Sequence, residues 1–191
     1  NKPYDKMVYE LVTARGVTAP GAEKFNGAAN FLVMKLEDNA AQATAKVSQT
    51  FLGLQVQCTQ CHNHPFNEWK QQKYWEMNAF FRQTRALRRF EQGTRNIAYV
   101  DLVDQDYGGE SGKPTEADLF YELRNGELKI AFPVFIDGQQ IPRSGLVEDV
   151  NRRSALGDFI LQSEYLDKTI VNRMWAHFLG YGFTTPVDDM G

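Results

Sequence analysis

The chain has 191 residues, enough for one ordinary domain or one domain with an appendage, and with 42% of them hydrophobic and 24% charged it has a globular rather than a disordered balance. A net charge of −3 offers no basic excess for general nucleic-acid binding, and no apolar run approaches the roughly 20 residues of a membrane-spanning helix. Cys58 and Cys61 are the only cysteines; a disulfide scaffold would use more of them at wider spacing, so this pair marks local chemistry. The chain opens at Asn1 without a methionine and closes on Asp188-Asp189-Met190-Gly191, which reads as a mature or trimmed product.

In chain order, Asp5 caps a first predicted helix through about Arg15, with Met7, Val8, Leu11 and Val12 as its apolar stripe. Residues 16–27 hold three glycines and Pro20 and read as loop. Ala40, Ala43, Val47, Phe51 and Leu54 recur at helical spacing, so a second helix is expected over 39–56, leading into Cys58. After Pro65, Asn67 reads as the cap of a third helix to about Leu87, carrying Trp69, Tyr74, Trp75, Ala79 and Phe80. The basic cluster at 82–89 falls on that helix as a solvated face.

From about Thr94 the character changes. Residues 97–103 read as a strand and 105–114 as a polar loop. The segment 120–132 reads as a hairpin turning at Asn125-Gly126 through a type I′ turn, with a second turn at Asp137-Gly138. Helical period returns near Asn151: Leu156, Phe159 and Ile160 share one helix. Ser163 caps another that carries Ile170, Val171, Met174, Trp175 and Phe178 and stops at Gly180. The fold expected from this pattern is mainly α, with the cysteine segment on a helix, a small β-hairpin insertion and a C-terminal helical pair. The corresponding parts are 1–95, 96–145 and 146–191, the last packing on the first.

Cys58-Thr59-Gln60-Cys61-His62 is the segment that carries chemistry. Two thiols three apart on one helical turn can each join a vinyl group of a haem, and the next residue, His62, then lies under the iron as proximal ligand. Two other chemistries share these residues. Zinc would take Cys58, Cys61, either His62 or His64, and His177 as a fourth ligand. Ordinary half-buried thiols, or a reducible short disulfide, would leave His62 incidental. Against zinc, the adjacent His62 crowds a tetrahedral site and no second Cys/His pair exists. Covalent haem attachment takes place outside the cytoplasm, so the haem reading carries an extracytoplasmic location with it. Trp69, Tyr74 and Trp75 downstream fit either a porphyrin wall or plain core packing.

The run from Phe51 to Phe66, with Phe51-Leu52-Gly53 before the motif and His62-Asn63-His64 at its end, resembles the large planctomycete-type cytochrome-c-like proteins. That family joins two domains of unknown function. Ala79-Phe80-Phe81 matches the end of the first part's aromatic helix. Arg152-Arg153-Ser154-Ala155-Leu156, the stretch Asn172-Arg173-Met174-Trp175-Ala176-His177 and the tail Pro186-Val187-Asp188-Asp189 match the second part. The resemblance implies one covalent haem c, an exported location and a chain normally much longer than this one. It implies no substrate.

The sixth iron ligand is not fixed by the motif. His177 is the first candidate, with Met77 and Met34 as thioether alternatives. Arg173, one turn before His177, and His64 are candidate contacts to the haem propionates. A closed haem suits electron transfer to a redox partner protein, alone or within a larger oxidoreductase assembled from other chains or from missing parts of the same protein. A haem- or zinc-stapled structural module is the alternative. A stand-alone enzyme is disfavoured: no catalytic carboxylate pair or nucleophile–base set stands out, and Gly112-Lys113 runs into Pro114 rather than a phosphate-loop Ser or Thr. Asp188 and Asp189 read as a solvated end.

Overall fold

The computed structural model describes residues 1–190; Gly191 of the predicted tail lies outside the described residues. The described elements are α1 (Tyr4–Thr13), β1 (Gly16–Val17), α2 (Asn30–Val33), α3 (Glu37–Val47), α4 (Gln71–Asn78), β2 (Thr84–Phe90), β3 (Ile97–Asp104), β4 (Leu119–Glu122), β5 (Leu128–Ala131), α5 (Arg152–Gln162) and α6 (Glu164–Leu179). The expectation of a mainly α fold is overturned. The chain is 39% helical and 15% strand, with one three-stranded and one two-stranded antiparallel sheet. The cysteine segment lies not on an α-helix but on a four-residue 3₁₀ turn, Gln57–Gln60.

Two expected helices end early, and the expected hairpin closes through a different turn. The helix expected over 39–56 ends as α3 at Val47, passes into a π turn at Ser48–Leu52 and stops at Gly53, whose φ of 64° no regular helix accepts. The helix expected over 67–87 is α4 plus a 3₁₀ turn at Ala79–Phe81, after which the chain becomes β2. From Thr84 to Phe90 the backbone pairs with β3 (Thr84↔Asp104 through Phe90↔Ile97), and that ladder outweighs the helix propensity of Leu and Arg. The basic cluster is therefore a strand and not a helix face. The 120–132 hairpin forms with the expected strands, but Asn125 keeps negative φ and only Gly126 (φ 83°) is left-handed. Gly126 N–H bonds to Leu123 O and Leu123 N–H to Glu127 O, the pattern of a type I turn closed by a glycine bulge rather than type I′.

The main core is built by Val8 and Val12 of α1, Leu32 of α2, Ala43 and Val47 of α3, Phe51 to Leu54, Tyr74 and Met77 of α4, Phe80, Leu102, Phe135, and Leu156 and Ile160 of α5. Helix α1 can lie close along α5 because Gly157 sits at the contact: a Cβ there would come within 2.9 Å of the Tyr9 and Thr13 side chains. Helix α6 buries Leu166, Thr169 and Asn172 and packs on the Ser48–Leu52 turn. Its opposite face, with Val171, Met174, Trp175 and Phe178, is exposed.

Two adjacent, fully buried arginines open α5. Arg153 gives its Nε and one terminal nitrogen to Asp104 Oδ1 (3.0 and 2.8 Å) and its other terminal nitrogen to Val12 O and Ala14 O (3.1 and 2.7 Å). Asp104 also accepts from Arg15 Nε at 2.6 Å and Asn151 Nδ2 at 2.9 Å. Arg152 turns the other way and donates only to neutral carbonyls, Ala79 O and Ser144 O. Burial pulls that guanidinium down to about 10, which leaves it protonated at neutral pH. Gln83 closes the junction, accepting from Arg152 N–H and donating to Gly145 O and Val150 O.

Replacing Arg153 by Leu strands a carboxylate that is 2% exposed and frees two buried carbonyls, and should cost about 3 kcal/mol or more in urea unfolding. A loss below about 1 kcal/mol would mean that Arg15, Asn151 and Thr84 satisfy Asp104 without Arg153. Burial by itself would raise the Asp104 carboxyl, but Arg153, Asn151 and Arg15 outweigh it and hold the group below the ordinary aspartate range. Its contribution is then complete above about pH 4 and lost as pH falls through the lowered native value. The urea midpoint should drop below about pH 4, and Asp104→Asn should flatten that acid limb.

Candidate functional site

The approach to the cysteines is set by a left-handed residue. Gly53 leaves the π turn with positive φ, and a Cβ there would meet Thr169 Oγ1 at 2.7 Å and Met190 Sδ at 3.2 Å. Met190 N–H also bonds to Gly53 O at 2.8 Å. The segment is held from α6 and from the tail. Arg173 donates to Thr50 O and Gln49 O at 2.6 and 2.7 Å, satisfying carbonyls that end a helical run. Asp188 accepts from Gln49 Nε2 (2.7 Å) and Gln55 Nε2 (2.9 Å). Asn172 ties down the tail by accepting from Phe183 N–H and donating to Val187 O. Asp188 is thus a structural acceptor rather than the solvated end expected from sequence, and Arg173 is committed to backbone carbonyls. Neither Asn172 nor the clasp on residues 49–55 was anticipated; the adjacency Asn172-Arg173 was the only signal.

On the 3₁₀ turn itself, residues three apart lie one above the other. Thr59 points inward, 1% exposed, with its hydroxyl donating to Val56 O at 2.6 Å. Cys58 and Cys61 are both exposed free thiols, and the i, i+3 spacing brings them to one side, with Gln57 and Gln60 on another. Gln60 O is gripped twice, by Trp75 Nε1 at 3.1 Å and Gln71 Nε2 at 3.1 Å. Trp75 is in turn stacked on Tyr121 of β4 (centroids 5.9 Å apart, planes 15° apart), and Gln71 reaches Glu122 O. The hairpin therefore braces the turn. Asn63 Oδ1 accepts from Gln71 N–H and so caps α4, the role sequence gave to Asn67; Asn67 instead closes a local turn on Trp69 N–H.

His62 Nδ1 lies 2.7 Å from Asn63 O. A carbonyl only accepts, so Nδ1 carries the proton and donates, and Nε2 presents its lone pair. His64 Nδ1 accepts from Phe66 and Asn67 N–H (3.3 and 3.2 Å), so the proton there is on Nε2. Tyr74 is buried and donates to Ala41 O; burial, with Asp38 and Cys61 nearby, pushes its phenol well above the usual tyrosine range.

The three candidates for a sixth iron ligand lie in different surroundings. Met77 is 2% exposed in the core, Met34 is 64% exposed and lines a cavity beside β2, and His177 is exposed near the end of α6 with its ring edge-on to Phe178. Among the described residues no group of three His, Cys, Asp or Glu side chains is arranged to hold a metal ion, so the zinc set of Cys58, Cys61, His62 or His64, and His177 is not assembled. No helix among the described residues is long and apolar enough to cross a membrane.

Residues 1–86 match the family model described as PSCyt2, protein of unknown function (DUF1549). The match takes in the cysteine turn and Ala79-Phe80-Phe81 and supports the first half of the resemblance; it does not extend to the blocks at 152–156 and 172–189. No curated protein matches the chain, and no solved structure does.

Gly53→Ala should place a methyl against Thr169 and Met190 in a left-handed backbone and cost about 1–3 kcal/mol. Hydrogen exchange should speed up at the amides of 53–56 and at Met190. A variant as stable and as protected as the parent would show that the clasp does not constrain this segment.

Proposed function

We propose that this chain carries one haem c, joined through Cys58 and Cys61 and ligated by His62, and works in electron transfer outside the cytoplasm. It does so alone or as a module of a larger oxidoreductase. One observation carries the reading: beside two exposed thiols on one side of a short turn stands an imidazole with Nδ1–H engaged to a backbone carbonyl and Nε2 free. That tautomer is the one an iron ligand needs, because the hydrogen bond at the far nitrogen orients the ring. The chemistry of the donor set suits the group: two thiols would take two vinyl carbons and one imidazole nitrogen would take the iron.

Attachment needs no external oxidant. Each Sγ–H would add across a vinyl C=C of the haem, forming an S–C bond while its hydrogen went to the other vinyl carbon. When bound, the haem supplies reversible one-electron exchange at the iron. The protein's residues do the rest. Thr59 and the grip on Gln60 O hold the turn, Asn63 O holds the imidazole, and the Gly53 clasp holds the chain that enters it. The match over 1–86 is to a family of unknown function and supports no substrate.

The test is intact mass and an in-gel haem stain on protein made in an exporting host with c-type maturation machinery. A mass increased by one haem that survives denaturation is expected. Cys58→Ala and Cys61→Ala should each leave one thioether, and the double variant should release the haem on denaturation. A colourless product with the mass of the bare chain, from a host that matures a control cytochrome, overturns the proposal.

A further inference from the structure

Strand β3 lies between β1 and β2, so among the described residues β2 pairs on one side only. Gln105 N–H bonds to Gln83 O. The alternation of an antiparallel ladder then turns the backbone groups of Arg85, Leu87 and Arg89 toward β3 and those of Thr84, Ala86 and Arg88 away from it. Thr84 O accepts from Arg85 Nη1, but the outward N–H and C=O of Ala86 and Arg88 meet no partner among the described residues. Thr84, Ala86 and Arg88 line a groove of about 550 Å³ whose other lining includes Met34, Leu36, Ile97 and Val100. Met34 and Ile97 are exposed there, without a cover. The two faces of β2 differ. Ala86 pairs with the fully buried Leu102, so the side chains of Thr84, Ala86 and Arg88 lie on the core side, where the groove opens. Arg85 and Arg89 share the opposite face, both exposed and neither in an ion pair, whereas Arg82 and Arg88 are paired with Glu110 and Glu37. Asp101, across from Leu87, is the acid that β3 sets on that face against the two arginines.

We propose that the free edge of β2 receives an extended peptide as an added strand, with apolar side chains entering the groove and acidic side chains alternating with them on the face of Arg85 and Arg89. Residues opposite one another on neighbouring strands share a face, so the two sides of β2 select two kinds of side chain at period two. The main-chain groups of a peptide answer both the N–H and the C=O at Ala86 and Arg88. Phosphates of a nucleic acid only accept, and would leave those carbonyls unanswered. A second copy joined edge to edge would bring the arginines of both β2 strands onto one face, where like charges repel. Arg88 is held by Glu37 in an exposed pair, a weak bond that an incoming carboxylate can exchange. An acidic peptide is therefore the occupant that the charge and the open backbone both fit, and this holds whether or not the chain carries a haem.

The probe is a fluorescein-labelled octapeptide that alternates Glu and Val, added to the purified chain and followed by anisotropy. Saturable binding is expected, weakening as salt is raised. Arg85→Gln/Arg89→Gln should weaken it about tenfold, the worth of two exposed ion pairs. Amide hydrogen exchange reads the register: the peptide should slow Ala86 and Arg88 and leave Arg85, Leu87 and Arg89, already bonded to β3, as they were. Ala86→Pro removes an outward N–H without touching the ladder, so it should weaken binding while the chain stays folded. The same octapeptide N-methylated throughout cannot donate to the edge and should not bind, a comparison that stands even if the proline variant fails to fold. Undiminished binding of the methylated peptide, or protection away from β2, overturns strand addition. An oligouridylate that binds as tightly as the peptide reassigns the arginines to nucleic acid. Ala86 and Arg88 already protected in a free chain that sediments as a dimer would give the edge to a second copy. Either result overturns the peptide proposal, as does a peptide that does not bind.

Discussion

Asp104 closes β3 with its carboxylate almost out of solvent, and Arg153 opens α5 directly against it. A carboxylate so placed is tolerated only with its acceptor sites filled, and a guanidinium only with its donors used. The fold answers with Arg15, Asn151 and the carbonyls that end α1. Because Arg152 is buried as well, facing Ala79 O and Ser144 O, the first turn of α5 is pinned from two sides at once. The end of α1, the last pair of the three-stranded sheet, the 144–150 segment and the exit from α4 all meet there. Losing one donor exposes a desolvated acceptor in each of several elements.

From that anchor the geometry runs to the cysteines. Helix α5 ends at Ser163, which accepts from Tyr165 N–H and starts α6 in a new direction. Helix α6 then presents Thr169, Asn172 and Arg173 to the segment before Cys58, and Asn172 brings the tail back so that Asp188 and Met190 complete the hold. On the other side, α4 and the β4–β5 hairpin fasten Gln60 O through Gln71, Trp75 and Tyr121. A four-residue 3₁₀ turn has little stability of its own. Its shape is imposed by partners on both sides, and the two thiols project from a rigid mount. Such support favours a site whose chemistry needs fixed geometry.

Sequence patterning located many elements and misjudged several boundaries. Helix α1, strand β3, the hairpin strands, Ser163 as a cap and Gly180 as a stop were legible, since each rests on local period or on one residue's backbone preference. The conversion of 84–90 into a strand was not, because the Ala, Leu and Arg of Thr-Arg-Ala-Leu-Arg-Arg-Phe favour helix and its partner strand lies beyond a turn. The class of the fold changed with that one segment and with β1. The exposure of Val171, Met174, Trp175 and Phe178 was equally hidden: their spacing says they share a face, not what covers it.

Cys58, Cys61 and His62 were legible at once, because the chemistry of that spacing is local to five residues. So was the identity of the blocks around Gly53, Arg152 and Asn172, though not their work. Arg152 and Arg153 are two charges in a row on paper, and only long-range packing buries them, turns them in opposite directions and chooses carbonyls for one and a carboxylate for the other. The clasp on Gly53 was likewise decided by tertiary structure, whereas the imidazole tautomer at His62 follows from the local turn that brings Asn63 O to the ring. The buried arginines and the clasp depend on atoms far apart along the chain or on backbone angles that side-chain pattern does not encode.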